Sequence, residues 1–355
     1  MSLLNKLEMS KTIIENHSNY IKELNLKEKL EKFKKNPEIK VISNSILKKE
    51  HEELINYIID ELKKLNENKK NLFIDKPNDL AKHINNVNKI APTISKALQE
   101  NPKEFELYSK KIIKILGYEK FSKNEISNLS EGESISTLNF NKKKEILSGK
   151  WSAYRYVFEL GIKVCPYCNR QYISPLYSED GKMRADLDHF FSKSKYPYLS
   201  ISIYNLVPSC KFCNSSLKGN KEFSYEKNLN PFENNVSEFL EFEIIPKSYQ
   251  SFYGNDDFEI VLSEKNIEDK ENNQKARNNC NIFKVEELYQ YHTDIVKNIL
   301  IKKMLYSDEY IKKAYKRYNI LNLEESEYIL LSPYIGKDNW DKPLSMLIND
   351  IINKL

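Results

Sequence analysis

Glycine is scarce in this chain, with 8 among 355 residues, and proline is modest at 12. An all-β barrel or sandwich needs frequent turn residues, so the shortage excludes that class and favours helix. Long apolar runs are also missing. None approaches the ~18 residues of a membrane-spanning helix, so no membrane span is expected. No basic-then-apolar leader opens the sequence, and the expected location is the cytoplasm. The phosphate-loop pattern G-x-x-x-x-G-K-[ST] does not occur, which excludes an ATPase of that kind. Cysteine and histidine are both rare, at five each. Four of the five cysteines nevertheless fall in two C-x-x-C pairs, Cys165–Cys168 and Cys210–Cys213, and Cys280 stands alone. In a reducing compartment such pairs read as metal ligands before disulfides.

What is present points to a folded, charged protein. Charged residues make up 30% and hydrophobic ones 40%, a balance that fits a globular chain of one large domain or two ordinary ones. The net charge is +5, and its placement is uneven. The window from Gly161 to Lys221 holds nine basic residues and four acids, so the whole surplus lies there. A local basic excess favours a polyanion such as nucleic acid.

The flanks read as helical. Leu47, His51, Leu54, Ile58, Leu62 and Leu65 recur at three- and four-residue steps and form one apolar stripe, with His51 as a packed helix histidine. The stretches YIKELNLKEKLEKFKKN and ALQENPKEFELYSKKIIKILGY follow the same pattern. Residues 122–141 are polar and read as a loop. In the middle, RQYISPLY reads as a strand ending at Pro175, Asp180-Gly181 as a hairpin turn, and MRADLDHFF as the return strand. Pro208 suits the start of a following helix and Gly219 its C-terminal cap. Further on, LEFEIIP and DFEIVLSE are strand-like, and long helical stretches follow. The expected organisation is a helical region 1–150, a central unit 151–232, and a C-terminal region 233–355 with two short strands and then helices.

Two C-x-x-C pairs separated by 41 residues suit a tetrahedral zinc site. Cys165, Cys168, Cys210 and Cys213 would form a closed, all-thiolate staple that is structural rather than catalytic. Between the pairs lies DLDHFFSKSKYP, residues 186–197, in which Asp188 and His189 are adjacent. Asn205 follows His189 by sixteen residues, and Asn214 directly follows Cys213. Asp and Asn offer hard oxygen donors suited to Mg²⁺ or Mn²⁺, and a neutral histidine suits a general base near neutral pH. Phe190 and Phe191 read as packing residues. Lys193, Lys195 and Lys218 are candidate phosphate contacts.

The combination CPYC, DLDHFFSKS and YNLVPSCKFCNSSLKG resembles the zinc-stapled branch of the HNH endonucleases. The wording of DHFFSKSKYP and NLVPSCKFCN is most similar to the HNH subunits of Septu-type and retron-linked antiphage systems. The likeness spans about residues 155–232. It implies an α+β, mostly helical protein with a ββα-metal core embedded between helical regions. It implies His189 as general base, Asn205 as the residue that orients His189 or the scissile phosphate, and Asp188 and Asn214 as ligands of a catalytic Mg²⁺ or Mn²⁺. Many relatives have histidine where Asn214 stands. The activity implied is hydrolysis of DNA in phage defence. RNA cleavage by the same residues and a non-catalytic zinc scaffold are the alternatives. The implied partners are nucleic acid, an ATPase subunit and a second copy of the chain.

Overall fold

The computed structural model describes residues 7–37, 39–42, 44–100, 103–123, 150–177, 182–253, 257–318, 330–332 and 341–355. The Asp180-Gly181 turn and most of the polar stretch 122–141 lie outside them. The fold is α+β and mostly helical, and its strands form three two-stranded antiparallel pairs among the described residues.

Among the described residues, seven helices form the N-terminal part: α1 (Lys11–Glu23), α2 (Leu26–Lys35), α3 (Ser45–Asn66), α4 (Pro77–Ile90), α5 (Pro92–Glu100), α6 (Glu106–Leu116) and α7 (Tyr118–Lys123). Local chemistry sets their ends. The Ser10 hydroxyl caps α1 by accepting from the Ile13 N–H, and the Asn44 side chain caps α3 by accepting from Leu47. The stretch 20–36 was expected as continuous helix, but Asn25 adopts φ +50° and splits it into α1 and α2. Gly117 divides α6 from α7 at φ +81°, where an added Cβ would meet Leu24 Cδ1 at 2.7 Å. The α3 stripe is buried as its spacing predicts. His51 lies within it, bonded to the Tyr108 hydroxyl at 2.9 Å and the Phe33 carbonyl at 3.1 Å.

The centre departs from expectation in its pairing. After α8 (Ala153–Leu160), β1 (Leu176–Tyr177) pairs with β2 (Lys182–Met183) as a minimal hairpin. The strand predicted to end at Pro175 instead begins after it. The run MRADLDHFF is interrupted, and β3 (Asp186–His189) pairs with β4 (Leu206–Ser209), not with RQYISPLY. Pro208, expected to open a helix, sits in β4 opposite Leu187. A proline is tolerated there because β4 has a partner on one side only among the described residues. The helix starts later, as a π-helical turn at Phe212–Lys218, and Gly219 ends it at φ +50° by donating to the Asn214 carbonyl.

The C-terminal part holds the two expected strands, β5 (Leu240–Pro246) and β6 (Phe258–Glu264), and the structure pairs them along seven residues. Helices α9 (Lys270–Phe283), α10 (Val285–Tyr289), α11 (Thr293–Leu305), α12 (Asp308–Tyr318) and α13 (Ser345–Lys354) follow. Cys280 is a buried small residue of α9, as expected for a cysteine without chemistry. No described helix is long and apolar enough to cross a membrane.

Bonds from helix α1 and from the α3–α4 connection fix the segment between β3 and β4. The Ile203 N–H donates to the Phe73 carbonyl at 2.9 Å. The His17 Nε2–H donates to the Ile201 carbonyl at 2.8 Å, while the Trp151 indole donates to His17 Nδ1 at 3.1 Å. Burial lowers the His17 pKa to about 4. The unfolded chain binds a proton on this histidine below about pH 6.5 and the folded chain does not. Stability contributed by neutral His17 is therefore complete above that pH and lost as pH falls. Between pH 7 and pH 5 the loss from His17 alone should be about 2 kcal/mol. Urea unfolding at the two pH values checks this, and an unchanged or higher midpoint at pH 5 would contradict it.

Candidate active site and metal centre

The two C-x-x-C turns meet. The sulfurs of Cys165, Cys168, Cys210 and Cys213 all lie within 4.8 Å of one another, and all four residues are buried. A tetrahedral zinc with ~2.3 Å bonds to sulfur places its ligands roughly 3.8 Å apart. The Cys168–Cys210 separation of 4.0 Å matches that edge. Backbone N–H groups point at the sulfurs as in a metal knuckle: Arg170 toward Cys168, Cys210 toward Cys165 and Cys213 toward Cys210, at 3.4–3.5 Å. Asn169 takes φ +48° to close the first turn. Burial and the adjacent sulfurs push the Cys165 thiol up. Four thiolates this close would be mutually repulsive, so the donor set fits a soft dication that neutralises them.

The first knuckle also anchors the C-terminal part. Asn169 accepts at its backbone and side-chain oxygens from the Leu344 and Met346 N–H groups. The Tyr289 hydroxyl donates to the Cys168 carbonyl at 2.9 Å. Tyr167, between the two cysteines, stacks on Phe283 at 4.3 Å.

Asp188 and His189 are sequence neighbours on β3, so their side chains leave opposite faces of the strand. On one side, His189 is 7% exposed and its Nε2–H donates to the Ser200 carbonyl at 3.0 Å. The edge contact with Tyr118 has ring centres 4.6 Å apart. Burial, with the positive charges of Lys193 and Lys218, lowers its pKa to about 3. The ring is neutral at pH 7, and because Nε2 carries the proton, Nδ1 holds the free lone pair.

Asn205 is fully buried and makes no surface for a phosphate. Its Oδ1 accepts from the Phe191 N–H at 2.7 Å, and its Nδ2 donates to the Phe191 and Leu199 carbonyls, both at 3.0 Å. Its reach is to the connection that presents Ser200 to His189. None of these bonds reaches the His189 ring; they tie Phe191 to Leu199, one residue before Ser200.

The other face of β3 carries Asp186 and Asp188 toward the π-helical turn. The Asn214 amide donates to Asp186 Oδ2 at 3.1 Å. Lys218 donates at 2.7 Å to both Asp188 oxygens and at 2.7 Å to the His189 carbonyl. The Tyr167 hydroxyl donates to Asp188 Oδ2 at 2.7 Å. Asp188 is 4% exposed, and the Lys218 ammonium already faces both of its oxygens. The pair Asp188 and Asn214 therefore does not fit a divalent ion in this arrangement: one partner is neutralised by an ammonium and the other faces a different carboxylate.

The three lysines expected at phosphate part company. Lys218 is buried, all three of its N–H bonds are satisfied, and it is not a surface cation. Lys195 pairs with Glu222 at 2.7 Å. Lys193 is exposed and lies over the Tyr118 ring at 4.9 Å, beside His189. Phe190 and Phe191 are core residues, edge to face at 5.1 Å. Sequence reasoning missed Tyr118, Tyr167 and Asp186. For Asp186 a signal existed, because in D-L-D the two acids must share a strand face. For Tyr118, 71 residues before His189, none did. No protein-family description, characterised protein or solved structure matches this chain.

Proposed function

We propose that this chain is an HNH-type endonuclease that hydrolyses phosphodiester bonds, with DNA its favoured substrate and zinc in the four-cysteine centre. In this reading β3, β4 and the π-helical turn are the ββα unit. The chain serves as the nuclease of a bacterial antiphage system and works with an ATPase partner.

The state of His189 is the observation that carries the reading. A general base must be unprotonated at working pH and fixed in one tautomer. The Ser200 carbonyl holds the proton on Nε2 and leaves the Nδ1 lone pair for the base, and the negative charge of a bound phosphate would raise the lowered pKa toward working pH. Nδ1 then takes a proton from the attacking water, while Tyr118 holds the ring and Asn205 the segment before Ser200. Lys193 is the accessible cation beside it and contacts the nucleic-acid backbone. The basic surplus of the 161–221 window supports a polyanion as substrate.

The test is cleavage of supercoiled plasmid with Mg²⁺ or Mn²⁺, wild type beside His189→Ala, with metal content of the cysteine centre measured in both. The substitution should lower the rate by about 10²–10⁴-fold at equal zinc. Equal cleavage by both proteins would sink the reading. A parallel arm with tRNA separates DNA from RNA as substrate. Binding of both nucleic acids with cleavage of neither, alone and with the ATPase partner added, would leave the zinc scaffold.

A further inference from the structure

We propose that Lys218 is the resident cation of Asp188, and that a divalent ion gains this carboxylate only when the ammonium leaves it. The inference rests on the nuclease reading solely for what the divalent ion would do there.

The geometry is that of a filled cation position. A lysine ammonium has three protons, and all three are directed: two at the Asp188 oxygens and one at the His189 carbonyl, each at 2.7 Å. The side chains are 4% and 5% exposed, so water does not screen the pair. The Phe223 ring lies 4.5 Å from the ammonium and adds a π face. Tyr167 fills a further acceptor direction on Oδ2. Asp188 Oδ2 thus has two donors and Oδ1 one, and the ammonium neutralises the carboxylate charge.

The backbone is shaped to put Lys218 there. The turn carrying it is π-helical, closed by the bond from the Gly219 N–H to the Asn214 carbonyl at 3.0 Å. A π turn is an uncommon element that recurs at functional sites. It presents Asn214 and Lys218 to the same strand face, opposite Asp186 and Asp188. A dication and an ammonium cannot share the Asp188 oxygens, since both positive charges would lie within a few ångströms in a poorly screened place. Uptake of one is release of the other.

Removing the ammonium without removing the carboxylate should therefore expose a strong cation site. The experiment measures Mn²⁺ binding by electron paramagnetic resonance of the free ion, on wild type, Lys218→Met, Asp188→Asn and the double variant. The zinc centre is loaded in all four. Lys218→Met should bind Mn²⁺ at least about tenfold more tightly than wild type, and the double variant should lose that gain. Asp188→Asn alone should leave wild-type binding unchanged. Equal affinity of wild type and Lys218→Met would overturn the proposal. So would a loss of wild-type affinity in Asp188→Asn, since Asp188 would then be a ligand with Lys218 in place. This last comparison can still overturn the proposal if Lys218→Met fails to fold. Plasmid cleavage is not among these readouts, so inactivity of His189 and misassignment of Lys218 are separate failures.

Discussion

Replacing Cys213 by serine should unfold the centre of this protein and release its metal. The wild-type chain is expected to carry one zinc, and the variant to lose it during purification or mild chelation. The magnitude decides the outcome. A structural zinc of this kind contributes an apparent ~10–16 kcal/mol at neutral pH, whereas a typical domain is stable by only ~5–15 kcal/mol. Without the dication, the remaining sulfurs stay clustered and buried with no compensation for their charge. The damage should spread beyond the knuckles. Asn169 holds the start of α13 and the Cys168 carbonyl holds Tyr289, so the C-terminal helices lose their anchor when the first turn opens. Circular dichroism, thermal melting and metal analysis on the same samples test this. A Cys213→Ser protein that melts as wild type does, with no zinc in either, would show that the cluster is an apolar thiol core. Cys280 supplies the control: buried in α9 and not one of the four clustered cysteines, its serine variant should keep the zinc.

The sequence made some of this legible because some signals are local. Cysteine spacing announces a metal knuckle wherever it falls, since the turn between the two ligands belongs to the motif. The α3 stripe and the two strands β5 and β6 were readable from local pattern, though not that the strands pair with each other. Partnership was not readable. The spacing of MRADLDHFF fits a strand but does not say that its partner is Leu206–Ser209. Pro208 misled because proline is common both at helix starts and on edge strands. Within the site, Asp188, His189, Asn205 and Asn214 were found by motif. The contacts that set their states come from elsewhere in the chain. Tyr118 lies on α7, and Lys218 becomes a buried counter-ion only once the π turn folds over β3. No rule of composition distinguishes an exposed lysine from one that donates three buried bonds.

Asn205 is the position where a single side chain should cost most outside the cysteines. Its substitution by alanine removes three hydrogen bonds in a place with no exposure at all. The Phe191 N–H and carbonyl are left without partners, while the Leu199 carbonyl keeps the Ser202 N–H. Each orphaned buried group costs about 1–3 kcal/mol, so the two together should destabilise the variant by about 2–6 kcal/mol. Aspartate should not rescue it. A carboxylate still accepts from Phe191 but meets the two carbonyls with no proton to give. The same bonds carry the functional consequence. They hold both ends of the segment from Phe191 to Leu199, and the next carbonyl, Ser200, fixes the proton on His189 Nε2. With the segment loosened, the imidazole loses its tautomeric constraint. The nitrogen-15 shifts of His189 should move toward a mixture of the two neutral tautomers at pH 7. Cleavage should fall through the rate constant, with nucleic-acid affinity near that of wild type, because Asn205 is sealed from any ligand. The opposite pattern, normal stability and tautomer with weakened DNA binding, would place Asn205 on the phosphate and remove it from the support of His189.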